Sequence, residues 1–413
     1  MTLPASRPAA AEDAVLGVRP GAVCEPGTVA EAAAVVGESS RGGRSVVFAG
    51  GGTDLDLGAR PESVDVLVRT RRLNRIVEHA PSDQIVIAEA GVTLDALARL
   101  LAPAGQRLAL DPPLPERATV GGVVAANAFG PRRARYGSVR DLLIGISIVR
   151  ADGVLARGGG KVVKNVAGFD LPKLMVGSLG TLGLIATATF RLHPLGERAA
   201  TLFSSGLKAR DVAALGGRLR EAQLEPDSVV AFRTGTDRFD LAVRFEGFAR
   251  GVEEQCERFA TLVARDVGAA CDRLDQRAAG ELWGRHDAAR RAGAFRAKVA
   301  ALPASLEAVE AGVLSPLAGA LGSPACLCYP TLGFAFVGGE PADASGVAAA
   351  VAAARSGLAA AGGSLVIAAA PEPVRAAADV WGPPPAAVAL MRGVKARLDP
   401  QRRLAPGRFV GGI

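Results

Sequence analysis

The chain has 413 residues, with 48 Lys and Arg against 41 Asp and Glu, a formal net charge of +7 and 49% hydrophobic residues. This length predicts two or three domains, and the apolar content is too high for a disordered chain. No segment approaches the about 20 uninterrupted apolar residues that a membrane-spanning helix needs, and the first residues lack a signal-peptide core. We therefore expect a cytoplasmic protein, with or without peripheral contact with the inner membrane face through a larger complex.

Cysteine, histidine and lysine are all scarce. The five cysteines are scattered and include no Cys-x-x-Cys, which argues against a zinc ribbon, an iron–sulfur cluster or a disulfide scaffold. The three histidines, His79, His193 and His286, lie far apart in sequence. The cations are six lysines and 42 arginines, and their densest cluster, residues 132–135, is short and poor in aromatic neighbours for base stacking. We expect no metal site and no nucleic-acid partner.

The first half of the chain alternates strand-like and helix-like segments. Residues 1–17 are expected to form a flexible leader, and Thr28 and Glu31 predict a capping box that opens an Ala/Val helix. Residues 94–101 predict an amphipathic helix capped by Thr93. Short strands are predicted at residues 45–49, 64–68 and 85–88. These elements and the glycine turns between them predict a mixed α/β domain over residues 18–196.

The composition shifts after Pro194, where Ala/Arg-rich helical stretches alternate with short strands. This pattern predicts a second α+β domain over residues 197–384, and we find no convincing internal repeat in the sequence. Residues 385–413 predict a last helix and a tail. The expected apolar face of that helix is Val388, Met391, Val394 and Leu398. Arg392, Lys395 and Arg397 are expected elsewhere on its surface.

Two glycine-rich segments of the first domain suggest ligand chemistry. In Gly50-Gly51-Gly52-Thr53-Asp54, consecutive glycines after a strand let backbone N–H groups converge on an anion such as a pyrophosphate, although such a segment is more often an ordinary turn. Residues 118–127 carry small side chains between Thr119 and Asn127, which suits close approach of a flat ligand or tight helix packing. The residues alone leave these alternatives open.

Three more segments complete the set, and known catalytic motifs are missing from them. They are residues 132–141, residues 161–174 and residues 176–185. The region around Lys161 is not a Walker phosphate loop, because Leu155 and Val162 occupy positions where that motif requires Gly and Ser or Thr. The chain also lacks a Gly-x-Ser-x-Gly elbow, so the nucleophile signature of a hydrolase is missing.

In their order and spacing, these five segments resemble the FAD-binding domain of the vanillyl-alcohol oxidase / p-cresol methylhydroxylase type. The resemblance is dense over residues 45–195, returns at residues 381–409, and is closest to the FAD-binding E subunits of bacterial glycolate oxidase (glycolate dehydrogenase). The motifs that carry it are residues 111–113, 130–133, 136–141, 163–171, 174–178, 398–400 and 406–408.

The resemblance implies an α+β fold: a two-subdomain FAD-binding domain followed by an α+β cap domain, with FAD between the two subdomains. The residues implied at the pyrophosphate are Gly50, Gly51, Gly52, Thr53 and Asp54. Those implied along the pyrophosphate and isoalloxazine are Asp111, Pro112, Thr119, Gly121, Gly122, Asn127, Gly137, Ser138 and Val139. Those implied at the nucleotide side are Gly180, Thr181, Gly183 and Ile185. Lys164 and Asn165 are implied near the ring, with an exposed basic loop as the alternative.

The chain departs from the family pattern in ways that bear on chemistry. Some relatives attach FAD through a histidine in the glycine loop; residues 48–58 contain none, so noncovalent FAD is expected. Ala405 stands where relatives often have Asn, and Phe169 where Tyr is commoner. Related hydroxyacid dehydrogenases bind substrate at a paired-histidine metal site in the cap, whereas His286 is the single cap histidine here. The substrate site is therefore expected to be weak in this chain or carried by a partner.

The function implied is that of an FAD-binding subunit that takes part in oxidising glycolate to glyoxylate. A homologous FAD-linked subunit and an iron–sulfur subunit are the implied partners. Two alternatives remain: a self-sufficient FAD-linked oxidase or dehydrogenase of another hydroxy acid or lactone, and a non-catalytic structural subunit. No catalytic base is assigned. The arginines considered for a substrate carboxylate are Arg132, Arg133, Arg135 and Arg140, with surface or subunit contacts as the alternative for most of them.

Overall fold

The computed structural model describes residues 6–162 and 168–413, and within them the chain crosses between two units. The first unit takes in residues up to 130, residues 137–194 and residues 383–413. The second unit takes in residues 131–136 and residues 195–382. The two ends of the described chain therefore both belong to the first unit.

The strands and helices are numbered here in chain order. The strands are β1 Ser6–Pro8, β2 Ala22–Cys24, β3 Val46–Ala49, β4 Val66–Arg69, β5 Ile76–Ala80, β6 Ile85–Glu89, β7 Gln106–Arg107, β8 Leu143–Val149, β9 Leu155–Gly159, β10 Leu184–Arg191, β11 His193–Pro194, β12 Arg198–Leu207, β13 Ser228–Gly235, β14 Arg238–Gly247, β15 Asp272–Arg273, β16 Phe295–Ala300, β17 Leu321–Tyr329, β18 Phe334–Pro341 and β19 Ser364–Ala369. The α-helices are α1 Val29–Arg41, α2 Leu94–Leu101, α3 Val120–Ala126, α4 Arg133–Tyr136, α5 Val139–Leu142, α6 Leu171–Met175, α7 Ala209–Glu221, α8 Ala249–Val267, α9 Gln276–Ala289, α10 Leu306–Val309, α11 Ser315–Gly319, α12 Ala344–Ala359, α13 Glu372–Ala377 and α14 Val388–Leu398.

Two helix starts in the first unit follow directly from local sequence. The hydroxyl of Thr28 accepts a hydrogen bond from the backbone N–H of Glu31 at 3.1 Å, as predicted, while the Glu31 carboxylate accepts one from the backbone N–H of Gly27. Thr93 caps α2 in the same way, accepting from the N–H of Ala96 at 3.2 Å. Each hydroxyl satisfies an N–H that a helix leaves without an intrahelical partner.

The first unit is built on two main sheets. One has the strand order β1-β2-β4-β3, with β2, β4 and β3 parallel; the other is antiparallel in the order β5-β6-β10-β8-β9. A fully buried apolar cluster joins them, with Val36 and Val68 on the side of the first sheet and Val149 and Leu184 on the side of the second. This shared core fixes the position of one sheet against the other.

The segment expected to be a flexible leader is partly ordered. Residues 1–5 lie outside the described chain, but β1 pairs antiparallel with β2, and Asp13 is only 1% exposed. The carboxylate of Asp13 accepts hydrogen bonds from Arg7 at 2.7 Å and from Arg69 at 2.6 Å. The hydrogen bond from Arg7 is the main reason that the pKa of Asp13 lies well below its ordinary value. An isolated Pro/Ala-rich sequence gives no sign of this long-range ion pair.

The last helix and its tail return to the first unit. The backbone N–H of Val46 donates to the carbonyl of Arg403 at 2.7 Å, and the N–H of Ala405 donates to the carbonyl of Val46 at 2.8 Å. The tail thereby extends the edge of the first sheet beside β3.

Lys395 on α14 differs from its expected surface position, because it is 3% exposed. Its ammonium group donates to Asp399 at 2.7 Å and to the carbonyls of Thr181 and Leu404 at 2.8 Å each. Burial lowers the pKa of Lys395, and the hydrogen bond from Lys395 to Asp399 opposes that effect. Helical periodicity predicted a solvated lysine; the ion pair with Asp399 is what allows it to be buried.

The second unit is one antiparallel sheet in the order β15-β12-β14-β13-β17-β18-β16-β19. Read along the chain, each half is a β-α-β-β-α-β arrangement, the ferredoxin-like motif. The halves meet where β13 pairs with β17, at Ala231 with Cys328 and at Phe232 with Leu327. The topology thus repeats, although no repeat is evident in the sequence.

Across the described residues, the helices fall short of what a membrane crossing demands in length and apolar character.

Candidate functional site

The glycine loop after β3 fits closely against a neighbouring segment. A Cβ on Gly51 would lie 1.7 Å from the carbonyl oxygen of Arg117, and one on Gly50 would lie 2.1 Å from the hydroxyl oxygen of Thr119. Gly52 has a φ of +75°, and an added Cβ there would meet nothing within 4 Å. Gly50 and Gly51 are therefore required for close packing, while Gly52 turns the loop toward open space.

The N-terminal part of α3 forms a second wall. Thr119 accepts a hydrogen bond from the backbone N–H of Gly122 at 3.3 Å, which begins the helix. A Cβ on Gly121 would lie 2.7 Å from the side chain of Ala90, and the Gly121 N–H donates to the Ala90 carbonyl at 2.8 Å. Of the two alternatives left open by the sequence, tight helix packing applies to Gly121, while close approach of a flat ligand stays a prediction.

The segment before β10 forms the third wall. The N–H of Gly177 donates to the carbonyl of Val124, and the N–H of Leu179 donates to the carbonyl of Ala125, each at 2.9 Å. Gly180 lies against the ring of Phe48: a Cβ added to Gly180 would lie 3.0 Å from the nearest ring carbon. Three glycine-rich stretches that are distant in sequence thus face one another.

These walls surround a cavity with an empty volume of about 740 Å³, including its opening. Ten of the predicted site residues line it: Gly50, Gly51, Gly52, Thr53, Asp54, Gly121, Gly122, Gly180, Gly183 and Ile185. Other lining residues that sequence reasoning did not single out include Phe48, Thr70, Ala90, Ala125 and Arg408. Among the described residues that line the cavity, Asp54 and Arg408 are the only charged side chains.

Other predicted residues do not line this cavity. Thr119 caps α3, and Thr181 donates its hydroxyl to the carbonyl of Ser178 at 2.7 Å. At the start of α5, the backbone N–H and the hydroxyl of Ser138 both donate to the carboxylate of Asp141, each at 2.7 Å. The remaining described members of the set that do not line the cavity are Asp111, Pro112, Asn127, Gly137 and Val139. Lys164 and Asn165 lie outside the described residues.

Two buried polar atoms close to the cavity fit a polar ligand. Asn127 follows Ala126, which lines the cavity, and Ser178 precedes Leu179, which also lines it. Within the described part of the chain, the amide oxygen of Asn127 and the hydroxyl of Ser178 are buried and make no hydrogen bond. Buried polar atoms are usually satisfied, so these positions favour a ligand with hydrogen-bonding groups.

Arg408 reaches the cavity from the C-terminal tail. Its side chain is buried, and its Nη2 donates to the carbonyls of Leu55 at 2.9 Å and Leu57 at 2.6 Å, directly after the glycine loop. The sequence motif at residues 406–408 did not place Arg408 among the predicted site residues. That Pro-Gly-Arg motif is the sequence feature that could have indicated it.

Three of the four arginines considered for a carboxylate belong to the second unit and do not line this cavity. Arg132 lies 3.6 Å from the carboxylate of Asp227, Arg133 stacks on the ring of Phe334, and Arg135 donates to the carbonyl of Glu246. Arg140, in the first unit, is exposed. These surroundings give the three arginines packing and ion-pair roles within the second unit.

His286 on α9 is held in a buried polar cluster of the second unit. Its Nε2 lies 2.8 Å from the hydroxyl of Tyr329, and its Nδ1 lies 2.9 Å from the carboxylate of Asp287. Arg290 also donates to the Tyr329 hydroxyl, at 2.6 Å. Both ring nitrogens of His286 are engaged by protein atoms. Among the described residues, no cluster of three or more His, Cys, Asp or Glu is arranged to hold a metal ion.

The cavity fits FAD, because its glycine walls leave room for a flat ring system and a glycine loop can offer backbone N–H groups to a pyrophosphate. Residues 20–159 match the family described as FAD binding domain, which is about a third of the chain. The chain therefore contains an FAD-binding domain of the p-cresol methylhydroxylase type, and the predicted α+β fold class and FAD cofactor are confirmed.

The chain is similar to several FAD-linked oxidoreductases. D-lactate dehydrogenase of Archaeoglobus fulgidus is 37% identical over 196 residues, 47% of this chain and 42% of that protein. Glycolate oxidase subunit GlcE of Escherichia coli is 43% identical over 120 residues, 29% of this chain and 34% of that protein. Glycolate oxidase subunit GlcD of Bacillus subtilis is 34% identical over 45% of this chain and 39% of its own length.

These matches span less than half the length of the curated relatives. The solved structure of alkyldihydroxyacetonephosphate synthase resembles this chain more completely, with a TM-score of 0.72 over 95% of this chain and 78% of that one. At 17% sequence identity, this likeness shows a shared fold.

Proposed function

We propose that the chain is the FAD-binding E-type subunit of a complex that oxidises glycolate, a small 2-hydroxy acid, to glyoxylate. The observation that carries the proposal is the cavity of the first unit, in which three glycine-rich segments form the walls. Two of the relatives similar to this region are named as glycolate oxidase subunits. The E type is favoured by the 43% identity to GlcE, the highest value among the relatives compared above.

The residues of the cavity would divide the work of holding the cofactor. When bound, FAD would accept a hydride from the hydroxyl-bearing carbon of the substrate. The loop at Gly50–Asp54 would hold the pyrophosphate through backbone N–H groups, while Gly121 and Gly122 would let the ring approach the backbone closely. The other proposed contacts are Asp111, Pro112, Thr119, Asn127, Gly137, Ser138, Val139, Lys164, Asn165, Gly180, Thr181, Gly183 and Ile185.

A homologous FAD-linked subunit and an iron–sulfur subunit are part of this proposal. Each substrate oxidation releases two electrons, which have to leave the flavin before the next turnover. The five cysteines are scattered along the sequence and contain no Cys-x-x-Cys spacing of the kind that holds an iron–sulfur cluster, so the electron carrier is proposed on a partner.

A second candidate function is a self-sufficient FAD-linked dehydrogenase of another 2-hydroxy acid. It is favoured by the 196-residue similarity to D-lactate dehydrogenase, a longer match than that to GlcE. The two candidates differ in whether the isolated chain is reduced by substrate.

The test compares the full chain purified alone with the chain co-purified with its genomic neighbours. After the flavin spectrum has been recorded anaerobically, glycolate and D-lactate are added separately. The Gly51→Ala variant is the matched control, because a Cβ there would occupy the position of the Arg117 carbonyl and disturb the glycine loop.

Flavin bleaching by glycolate in the complex alone supports the proposal. Bleaching of the isolated chain by D-lactate, with none by glycolate, would overturn it in favour of the second candidate. A complex that oxidises glycolate equally well with the flavin-free Gly51→Ala chain would make this a structural subunit.

A further inference from the structure

Arg408 is the one cationic side chain among the described residues that line the FAD cavity. It is 3% exposed, so its charge is almost completely removed from water. A buried guanidinium is stable only where charge or hydrogen bonds compensate for the lost hydration. Nη2 of Arg408 donates to the carbonyls of Leu55 at 2.9 Å and of Leu57 at 2.6 Å, which holds the guanidinium beside the glycine loop.

The backbone around Arg408 fixes that position. The carbonyl of Arg408 accepts from the N–H of Ala59 at 2.9 Å, and the N–H of Glu62 donates to the carbonyl of Pro406 at 2.9 Å. The tail is therefore attached on two sides to the segment between β3 and β4, the same segment that begins with the glycine loop. Arg408 and the glycine loop are held as one structural element.

We propose that Arg408 is an FAD-binding residue that pairs with the pyrophosphate at the glycine loop. Two phosphate groups bring a double negative charge into a cavity whose loop otherwise offers backbone N–H groups and the carboxylate of Asp54. A guanidinium keeps its positive charge at any working pH, so it attracts phosphate oxygens throughout that range. The segment at the far end of the chain thereby completes the cofactor site that the N-terminal half begins.

The inference rests on the FAD-binding part of the proposed function and is independent of which acid is oxidised. Its test therefore measures cofactor affinity instead of turnover. Apo-protein is titrated with FAD and, separately, with riboflavin, which carries the ring but no pyrophosphate. Flavin fluorescence reports both dissociation constants, and thermal unfolding of each apo-protein shows that the variants are folded.

Two substitutions separate charge from hydrogen bonding. Arg408→Gln keeps an amide donor for the Leu55 and Leu57 carbonyls but removes the charge; we expect its FAD dissociation constant to rise about 10–100-fold, equivalent to about 1.4–2.8 kcal/mol. Arg408→Lys keeps the charge without the planar fork and should fall between Arg408→Gln and wild type. Riboflavin affinity should change by less than about twofold, since it lacks the paired group.

Arg402→Gln is the matched control. Arg402 lies on the same tail and pairs with Glu62 at 3.1 Å, but it does not line the cavity. Its substitution should leave FAD affinity unchanged.

The proposal is overturned if Arg408→Gln binds FAD as tightly as wild type, or if FAD and riboflavin affinities fall by the same factor. It is equally overturned if Arg402→Gln weakens FAD binding as much as Arg408→Gln. A failure of the complex to oxidise glycolate would leave these titrations unaffected, so the two proposals fail separately.

Discussion

Replacing Lys395 by methionine is expected to release the C-terminal segment from the first unit. The ammonium group is buried and donates to Asp399 and to the carbonyls of Thr181 and Leu404. Methionine fills a similar volume but leaves all three acceptors without this donor. The Asp399 carboxylate would then be a buried charge without its cation.

The magnitude follows from the remaining contacts of that carboxylate. Removing one partner of a buried ion pair costs about 3–5 kcal/mol. Asp399 keeps two backbone donors, the N–H of Arg403 at 3.0 Å and that of Leu404 at 2.7 Å. We therefore expect the lower end of the range, about 3 kcal/mol, which is roughly a hundredfold in the population of the detached segment.

Hydrogen exchange measures this opening residue by residue. The amide of Ala405, which donates to the Val46 carbonyl, should lose about a hundredfold of its protection in Lys395→Met. Lys173→Met is the matched control, because Lys173 forms an exposed pair with Asp170. An exposed pair contributes about 0–1 kcal/mol, so this control should leave the tail protected. Equal protection of Ala405 in wild type and Lys395→Met would refute the reasoning.

Three further substitutions have defined outcomes. Gly51→Ala would place its Cβ 1.7 Å from a backbone oxygen, so we expect loss of bound-flavin absorbance. Its control is Gly280→Ala, on an open helix surface, which should keep its flavin and raise the free energy of unfolding by up to about 1 kcal/mol. Asp13→Asn removes a carboxylate whose pKa the hydrogen bond from Arg7 holds below the ordinary 3.8. That carboxylate stabilises the fold above pH 3.8 and loses its contribution as the pH falls further; in urea unfolding the variant should be about 1–3 kcal/mol less stable at neutral pH and less sensitive to acid. Tyr329→Phe removes a buried hydroxyl that holds two partners, which should destabilise the second unit by about 1–3 kcal/mol in thermal unfolding without reducing flavin content.

Each outcome can fail in a specific way. Full flavin occupancy in Gly51→Ala would show that the loop is not closely packed. An acid-unfolding profile of Asp13→Asn parallel to wild type would show that this carboxylate does not titrate with folding. Loss of flavin in Tyr329→Phe would connect the cluster around His286 with the cofactor site.

The parts of the cofactor site that were predictable are those set by local backbone requirements. Gly50 and Gly51 leave no room for a side chain, and Thr119 caps the helix that follows, so their residue types report their surroundings directly. The ends of the predicted strands lie within about two residues of the ends of β3, β4 and β6. These strands were predictable because alternating or continuous apolar residues are typical of buried strands.

The parts that were missed depend on contacts between distant segments. Lys395 looks like a solvated residue until Asp399 and Thr181 are brought to it in space. Arg408 lies more than 350 positions from the carbonyls that it binds. The repeated half-sheets of the second unit share topology, and topology does not require a shared sequence.

The return of the tail to the first sheet has a consequence for the order of events during synthesis. Domains generally fold as they emerge, from the N-terminus onward. Here the backbone hydrogen bonds of Val46 with Arg403 and Ala405 cannot form until those residues have been synthesised. The first unit is therefore completed only after the second unit has been made. A nascent chain that stops before Arg408 has every glycine of the cavity and still lacks its cation. Cofactor binding would therefore be complete only after Arg408 has been synthesised.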